Sequence, residues 1–126
     1  MKAKDIMTRK VVTVREDVPI YEAMRVLISE GITGLPVTTR DGDLSGIVTE
    51  KDMLTLLNNT RIDHVTAGHI MTRNAICFDE NDDLTEINNC LKKNNFRRVP
   101  ILSHGKLVGI ISRTDIMKAI LRERGV

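Results

Sequence analysis

"GIVTEKD", Gly46 to Asp52, and "GIISRTD", Gly109 to Asp115, set a glycine, two apolar residues, a hydroxyl and, three residues later, an aspartate at the same intervals, 63 positions apart. The apolar pair suits the end of a strand. Thr49 or Ser112 at the junction suits a helix N-cap, and Asp52 or Asp115 in the first turn favours the helix dipole. A single hydroxyl-x-x-carboxylate stretch would be read as a cap and nothing more. The same geometry also makes a ligand site. Free amides at a helix start attract phosphate, the hydroxyl can donate to it, and the carboxylate can accept from both hydroxyls of a ribose. The duplication of glycine, hydroxyl and carboxylate together favours the site.

Outward from these stretches the whole chain is written twice. An offset of 64 superposes "IMTR" at Ile6–Arg9 on "IMTR" at Ile70–Arg73, and pairs Glu16 with Glu80, Leu27 with Leu91 and Pro36 with Pro100. After one residue is lost between "TRDGD" and "SHGK", an offset of 63 pairs Gly42 with Gly105 and Leu44 with Leu107. In the first copy "VVTV" (11–14) predicts a short strand, and Asp17 an N-cap with Pro19 in the first turn. Ile20, Ala23, Met24, Val26 and Leu27 predict a helix, and Gly31 its left-handed C-cap. "LPVTT", a "DGD" turn, "LSGIVT" and a helix over 50–57 follow. The second copy places Asn81 at the cap, Asn95 opposite Gly31, then "RVPIL", "HGK", "LVGIIS" and a helix over 113–122. Each copy reads β-α-β-β-α, an α+β class. The copies span 1–60 and 61–126, with "NNTRIDHVTAG" (58–68) as a polar linker. A unit of about 60 residues buries too little surface to stand comfortably alone, so a shared core is expected. Met24 and Met117 fall at apolar helical positions and predict core packing.

Bulk properties exclude several function classes. At 126 residues, 41% hydrophobic and 29% charged, the chain has the composition of one ordinary globular core. Nineteen basic against 17 acidic residues leave a net charge of +2, too little to argue for nucleic acid. Aromatic side chains are only Tyr21, Phe78 and Phe96, too few for a base-stacking surface. No apolar run approaches a membrane span, and "MKAKDIMTRK" lacks a signal-peptide hydrophobic region, so a cytoplasmic location is expected. Cys77 and Cys90 predict free thiols. His64, His69 and His104 have no metal-ligand spacing, and no metal site is expected. No nucleophile is paired with a base and no two carboxylates suggest acid and base roles, so no catalytic residue is assigned.

With both copies in register, "IMTR...VVTV...LPV...GIVTEKDM" and "IMTR...AICF...RVPI...GIISRTDI", the chain resembles the tandem cystathionine-β-synthase (CBS) domain family, the pair called a Bateman module. The resemblance implies two β-α-β-β-α repeats packed with pseudo-twofold symmetry through small sheets, and a dimer of such pairs. It implies regulatory binding of adenosine-containing ligands between the repeats: AMP, ADP or ATP, or alternatively S-adenosylmethionine or NAD, with no other cofactor required. Carried over by position, Asp52 and Asp115 are the expected ribose carboxylates, and Thr49 and Ser112 the phosphate-side hydroxyls. The expected apolar walls are Met7, Val12, Ile32, Thr33 and Gly34 for Asp115, and Met71, Ile76 and Phe96 for Asp52. "FRRVP" puts Arg97 and Arg98 where the first copy has Thr33 and Gly34. Residues 64–126 carry ten basic and seven acidic side chains, residues 1–63 nine and ten. The Asp115 site, with Arg98 beside it, is therefore expected to hold phosphate more strongly. Two other readings stay open: a self-association or protein-docking module without nucleotide, acting on an unidentified regulated protein, and nucleic-acid binding through the basic second half.

Overall fold

The computed structural model describes residues 1–126. The strands are β1 (Val14–Arg15), β2 (Gly34–Thr38), β3 (Leu44–Thr49), β4 (Thr72–Arg73), β5 (Phe78–Asp79), β6 (Arg98–Ser103) and β7 (Lys106–Ser112). The α-helices are α1 (Ile20–Glu30), α2 (Glu50–Leu54), α3 (Ala67–Ile70), α4 (Leu84–Lys93) and α5 (Arg113–Glu123). One sheet has the order β1-β2-β3-β4 and the other β5-β6-β7, each opening with a parallel pair and continuing antiparallel.

Contacts divide the chain into two compact units, Val12–Ala75 and Met1–Val11 with Ile76–Val126. Each leading segment thus leaves its own repeat and pairs with the last strand of the other, as β4 beside β3 and as a single bridge beside β7. In the first unit Ala67 and Gly68 donate from their backbones to Val18 and Glu16, and Ile20 donates to Val65. In the second, Ala3 and Lys4 donate to Asp82 and Glu80, and Leu84 donates to Met1. Thr72 pairs with Ile47 in β4–β3, and Thr8 pairs with Ile110 as an isolated bridge. The two tethers are the same motif, 64 residues apart. Their small and apolar members, Ala3 and Met7 in one unit and Ala67 and Met71 in the other, are buried in the respective cores.

Local sequence explains the elements that carry the site. In α1 the spacing i, i+3, i+7 buries Ile20, Ala23 and Leu27, and Gly31 at φ 64° ends the helix by donating back to Ile28 and Leu27. In α4 Ile87 and Leu91 are buried, and Asn95 takes the matching left-handed backbone at φ 54°. The strands β2 and β6 are buried from Gly34 to Thr38 and from Val99 to Ile101. Pro36 and Pro100 lie in them where the sheet still has one neighbour, because β1 and β5 begin pairing only at Val37 and Ile101. His104 and Gly105, at φ 50° and 79°, form the two-residue hairpin turn that lets β6 and β7 pair from Ser103 and Lys106 onward.

Several expectations are corrected. The strand in "VVTV" runs Val14–Arg15, so Val11 and Val12 lie outside it. Asp17 does not cap α1; the extended Pro19 occupies that position without a side-chain cap. Asn81 is not the cap of α4 either, since its backbone N–H is taken by Asp79 while Asp83 accepts from Thr85. The helix expected over 50–57 stops at Leu54. The polar linker contains a 3-10 turn (Ile62–His64) and the start of α3, and Ile62, Val65 and Ala67 pack on the first core. Met24 packs against that core, but Met117 is 56% exposed and is not a core residue.

Candidate functional site

The two echoed stretches fold identically. Each ends a strand and starts a helix with a reciprocal cap. Thr49 N–H and Oγ1–H donate to Asp52 Oδ2 at 2.8 and 3.1 Å, and Asp52 N–H donates back to Thr49 Oγ1 at 3.4 Å. Ser112 N–H and Oγ–H donate to Asp115 Oδ2 at 2.8 and 3.1 Å, and Asp115 N–H returns to Ser112 Oγ at 3.2 Å. All four residues are half-buried, so each carboxylate sits at the surface with one edge turned into its own helix start. The first helical amide is taken by the residue just before β2 or β6: Glu50 donates to Thr33 O at 2.9 Å, and Arg113 to Arg97 O at 3.1 Å.

The glycines of the motif are there for packing. A Cβ on Gly46 would stand 2.5 Å from the carbonyl oxygen of Thr72 and 3.0 Å from Met71. A Cβ on Gly109 would stand 2.5 Å from Met7 Sδ. Met71 and Met7 are therefore pinned against the strand that leads into their own unit's motif.

Around this frame the expected site residues fall as follows. In the unit carrying Ser112 and Asp115, Met7 is buried, Arg98 is the register partner of Ser112 and half-buried, Arg97 is exposed, and Phe96 is half-buried on the second core. In the unit carrying Thr49 and Asp52, Gly34 is the register partner of Thr49, Thr33 abuts the start of α2, Met71 is buried, and Val12 and Ile32 are half-buried on the first core. Val12, Ile32, Thr33 and Gly34 thus share a compact unit with Asp52, not with Asp115. Phe96 and Ile76 belong to the unit of Asp115, and Ile76 is 44% exposed.

Four neighbours of Asp115 are not among the residues expected from the sequence. Thr8 Oγ1 donates to Asp115 Oδ1 at 3.1 Å. Arg113 clamps the loop before β6 by donating from Nε to Phe96 O and from Nη2 to Asn95 Oδ1, each at 2.9 Å. Lys118 and Arg122 follow Asp115 on α5 and, with Ile6, Leu121 and Val126, line an open groove of about 430 Å³. The helical spacing of 115, 118 and 122 is visible in the sequence; the approach of Ile6 and Thr8 beside the expected Met7 is not, because it depends on the long-range exchange of leading segments. No three His, Cys, Asp or Glu side chains cluster as metal ligands. Burial, with the Asp82 charge second, pushes the Cys77 thiol above its ordinary range.

Two mixed sheets, each feeding a hydroxyl-capped helix with an aspartate in its first turn, define a class of tandem β-α-β-β-α repeats. The CBS domain pattern matches residues 3–59 and 67–122, and the chain belongs to the CBS domain family. Among solved structures it is similar to CBSX2 from Arabidopsis thaliana at 26% identity, covering 99% of this chain and 97% of that one with a TM-score of 0.90. CBSX2 has also been solved in complex with AMP, with 98% of both chains covered and a TM-score of 0.89. The CBS domain pair of protein MJ0100, in complex with 5′-methylthioadenosine and S-adenosyl-L-methionine, is 29% identical over 98% of both chains, with a TM-score of 0.82. Hypoxic response protein 1 of Mycobacterium tuberculosis is 30% identical over 92% of this chain and 82% of its own length. The chain spans only 42%, 24% and 23% of three longer curated relatives.

Proposed function

We propose that this protein is a non-catalytic regulatory module that binds adenosine-containing ligands, AMP, ADP or ATP foremost, with S-adenosylmethionine and NAD as the alternatives. The observation that carries this is the pairing, in both units, of a helix-start hydroxyl with a half-buried carboxylate whose Oδ2 faces its own cap. In this reading each aspartate accepts from the ribose, and Thr49 or Ser112 turns its hydroxyl to the phosphate. Met7 and Met71, held against Gly109 and Gly46, offer the base an apolar wall beside their own motif. The AMP complex of CBSX2 and the S-adenosylmethionine complex of MJ0100 support the ligand class. Arg98, register partner of Ser112, supports placing the stronger phosphate contact at the Asp115 motif. No helix is long and apolar enough to cross a membrane, and a cytoplasmic setting is part of the proposal.

Signalling then follows from binding that favours one arrangement of the chain over another, read out as a conformational shift or as a change in self-association. Exposed Met117, Ile120 and Leu121 on α5 favour a homodimer as the responding assembly, with an unidentified regulated protein beyond it.

Isothermal titration of nucleotide-stripped protein with AMP, ADP, ATP, S-adenosylmethionine and NAD, repeated for Asp52→Ala and Asp115→Ala, tests the proposal. Saturable binding, lost mainly in Asp115→Ala for the phosphate-rich ligands, is expected. A folded protein that binds none of the five at millimolar concentration, and gains no thermal stability from them, would leave the aspartates as helix caps only.

A further inference from the structure

The two aspartates differ in how many donors they already hold, and the difference bears on which adenosine compounds each can take. Resting on the adenosine-binding reading above, we infer that Thr8 makes the Ser112–Asp115 motif selective for ribose ligands that carry a phosphate, while the Thr49–Asp52 motif accepts the ribose alone. An ionised carboxylate offers about four acceptor positions. Asp52 receives Thr49 N–H and Oγ1–H, both on Oδ2, and Thr72, which stands where Thr8 stands in the other unit, makes no bond to it. Two positions stay open, and the two hydroxyls of a ribose fit without displacing anything. Asp115 receives Ser112 N–H and Oγ–H on Oδ2 and Thr8 Oγ1–H on Oδ1. Only one position stays open there, so a ribose must displace a donor.

The three donors are not equally free to leave. Ser112 N–H is backbone, fixed by the pairing of Ser112 with Arg98 and by the cap. Thr8 is carried on backbone bonded in both directions to Ile110, each bond 2.9 Å, and follows Met7, which is buried against Gly109. Exposed Thr8 can turn its hydroxyl only to water, whereas the Ser112 hydroxyl stands at the helix start, where the phosphate of this reading sits. Turned to a phosphate oxygen it still donates, and it still accepts from Asp115 N–H, so nothing is left unmade. A phosphate therefore vacates the acceptor position that the second ribose hydroxyl needs. A ribose without phosphate has to break a donor bond to Asp115 and offers in return only a neutral hydroxyl oxygen, a weaker acceptor than a phosphate oxygen.

The experiment compares AMP with adenosine by titration calorimetry on the full chain in Asp52→Ala, where the Asp115 motif remains, and in Asp115→Ala, where the Asp52 motif remains. The ratio of AMP to adenosine affinity is expected to be roughly three- to tenfold larger in Asp52→Ala, the worth of one net hydrogen bond. Adding Thr8→Val to Asp52→Ala should lower the ratio by about that three- to tenfold factor by strengthening adenosine binding, and Thr8→Ser should preserve it. Arg97 and Arg98 are common to the proteins that carry Asp52→Ala, so their attraction for phosphate cancels in the Thr8 comparison, which isolates the hydroxyl. A ratio that Thr8→Val leaves unchanged, or equal ratios at the two motifs, would overturn this inference alone. Failure of the unsubstituted chain to bind AMP would overturn the adenosine-binding reading and this inference with it.

Discussion

Comparing the Val12–Ala75 unit with the unit of Met1–Val11 and Ile76–Val126 separates what duplication preserved from what it released. The cap is preserved almost atom for atom, with the backbone contact 2.8 Å in both copies and the hydroxyl contact 3.1 Å in both. Everything beyond the cap diverges. The helix that carries Asp52 has five residues and ends at exposed Leu54, with exposed Leu57 in the turn beyond it, whereas the helix that carries Asp115 has eleven and places Lys118 and Arg122 alongside a groove. Gly34 stands against Thr49 where Arg98 stands against Ser112. A frame that keeps two carboxylates in one geometry and changes their neighbours is suited to reading two features of a ligand class, or two ligands, with one fold.

The cores show the same division, and substitutions there should have the largest effects. At the wall under the sheets the first unit buries Ile20 and Ala23 completely; the equivalent positions in the second are the half-buried Leu84 and the fully buried Ile87. Bulk has moved one helical turn along α4 relative to α1, while the wall stays filled. Ile87→Ala is expected to cost about 2–5 kcal/mol in urea unfolding, because no neighbour supplies the lost volume. Ala23→Ile is expected to cost about 1–3 kcal/mol through overpacking, because Ile20 already occupies the space. Equal tolerance of both changes would show that the two walls are not filled in this offset manner.

Next in size come the motif glycines, which look equivalent in sequence and are not equivalent in packing. A methyl at Gly46 meets a backbone carbonyl at 2.5 Å, whereas at Gly109 the nearest atom is the flexible end of Met7, with the Thr8 carbonyl at 3.1 Å. Gly46→Ala is therefore expected to cost about 2–3 kcal/mol and Gly109→Ala about 1–2 kcal/mol, read from unfolding midpoints. Gly109→Ala should also weaken ligand binding at the Asp115 motif, since Met7 must move and Thr8 follows it. Unchanged affinity in that variant would separate the tether from the site.

Much of this was legible in the sequence, and the exceptions share a physical origin. The repeat, the order of elements, the left-handed positions at Gly31 and Asn95 and the caps at Thr49 and Ser112 are local features that propensity and periodicity report. The exchange of leading segments is not local. "IMTR" by itself carries no sign that Met7 packs on Gly109 rather than on Gly46; the family resemblance placed Met7 with Asp115 and Met71 with Asp52, but not the bond from Thr8 to Asp115. Asp17 and Asn81 misled because acidic and amide side chains also stabilise turns. Asp17 makes only an exposed 3.9 Å contact with Arg15, and Asn81 sits in a turn organised by Asp79 and Asp82. The motif residues themselves were readable because a cap and a ligand site ask for the same side chains; the sharing of walls among Val12, Ile32, Ile76 and Phe96 came from the family resemblance.

The smallest difference between the copies is at the ends of α1 and α4, where glycine and asparagine hold one backbone conformation. A Cβ added to Gly31, at φ 64°, would meet no atom within 4 Å, so steric crowding is not what keeps glycine there. The backbone itself does: a side chain in the left-handed region costs about 1 kcal/mol, and asparagine lessens that by local hydrogen bonding. Gly31→Ala is accordingly expected to lower stability by about 1 kcal/mol, and Gly31→Asn by less, with no change in binding. Asn95 differs in that its Oδ1 accepts from Arg113, the residue that also clamps Phe96 O at the start of β6. Asn95→Gly keeps the backbone and removes the clamp partner. A shift of only a few tenths of a kcal/mol in stability, accompanied by weaker phosphate-ligand binding, would mark Asn95 as a support of the Arg97–Arg98 segment rather than a helix terminator alone.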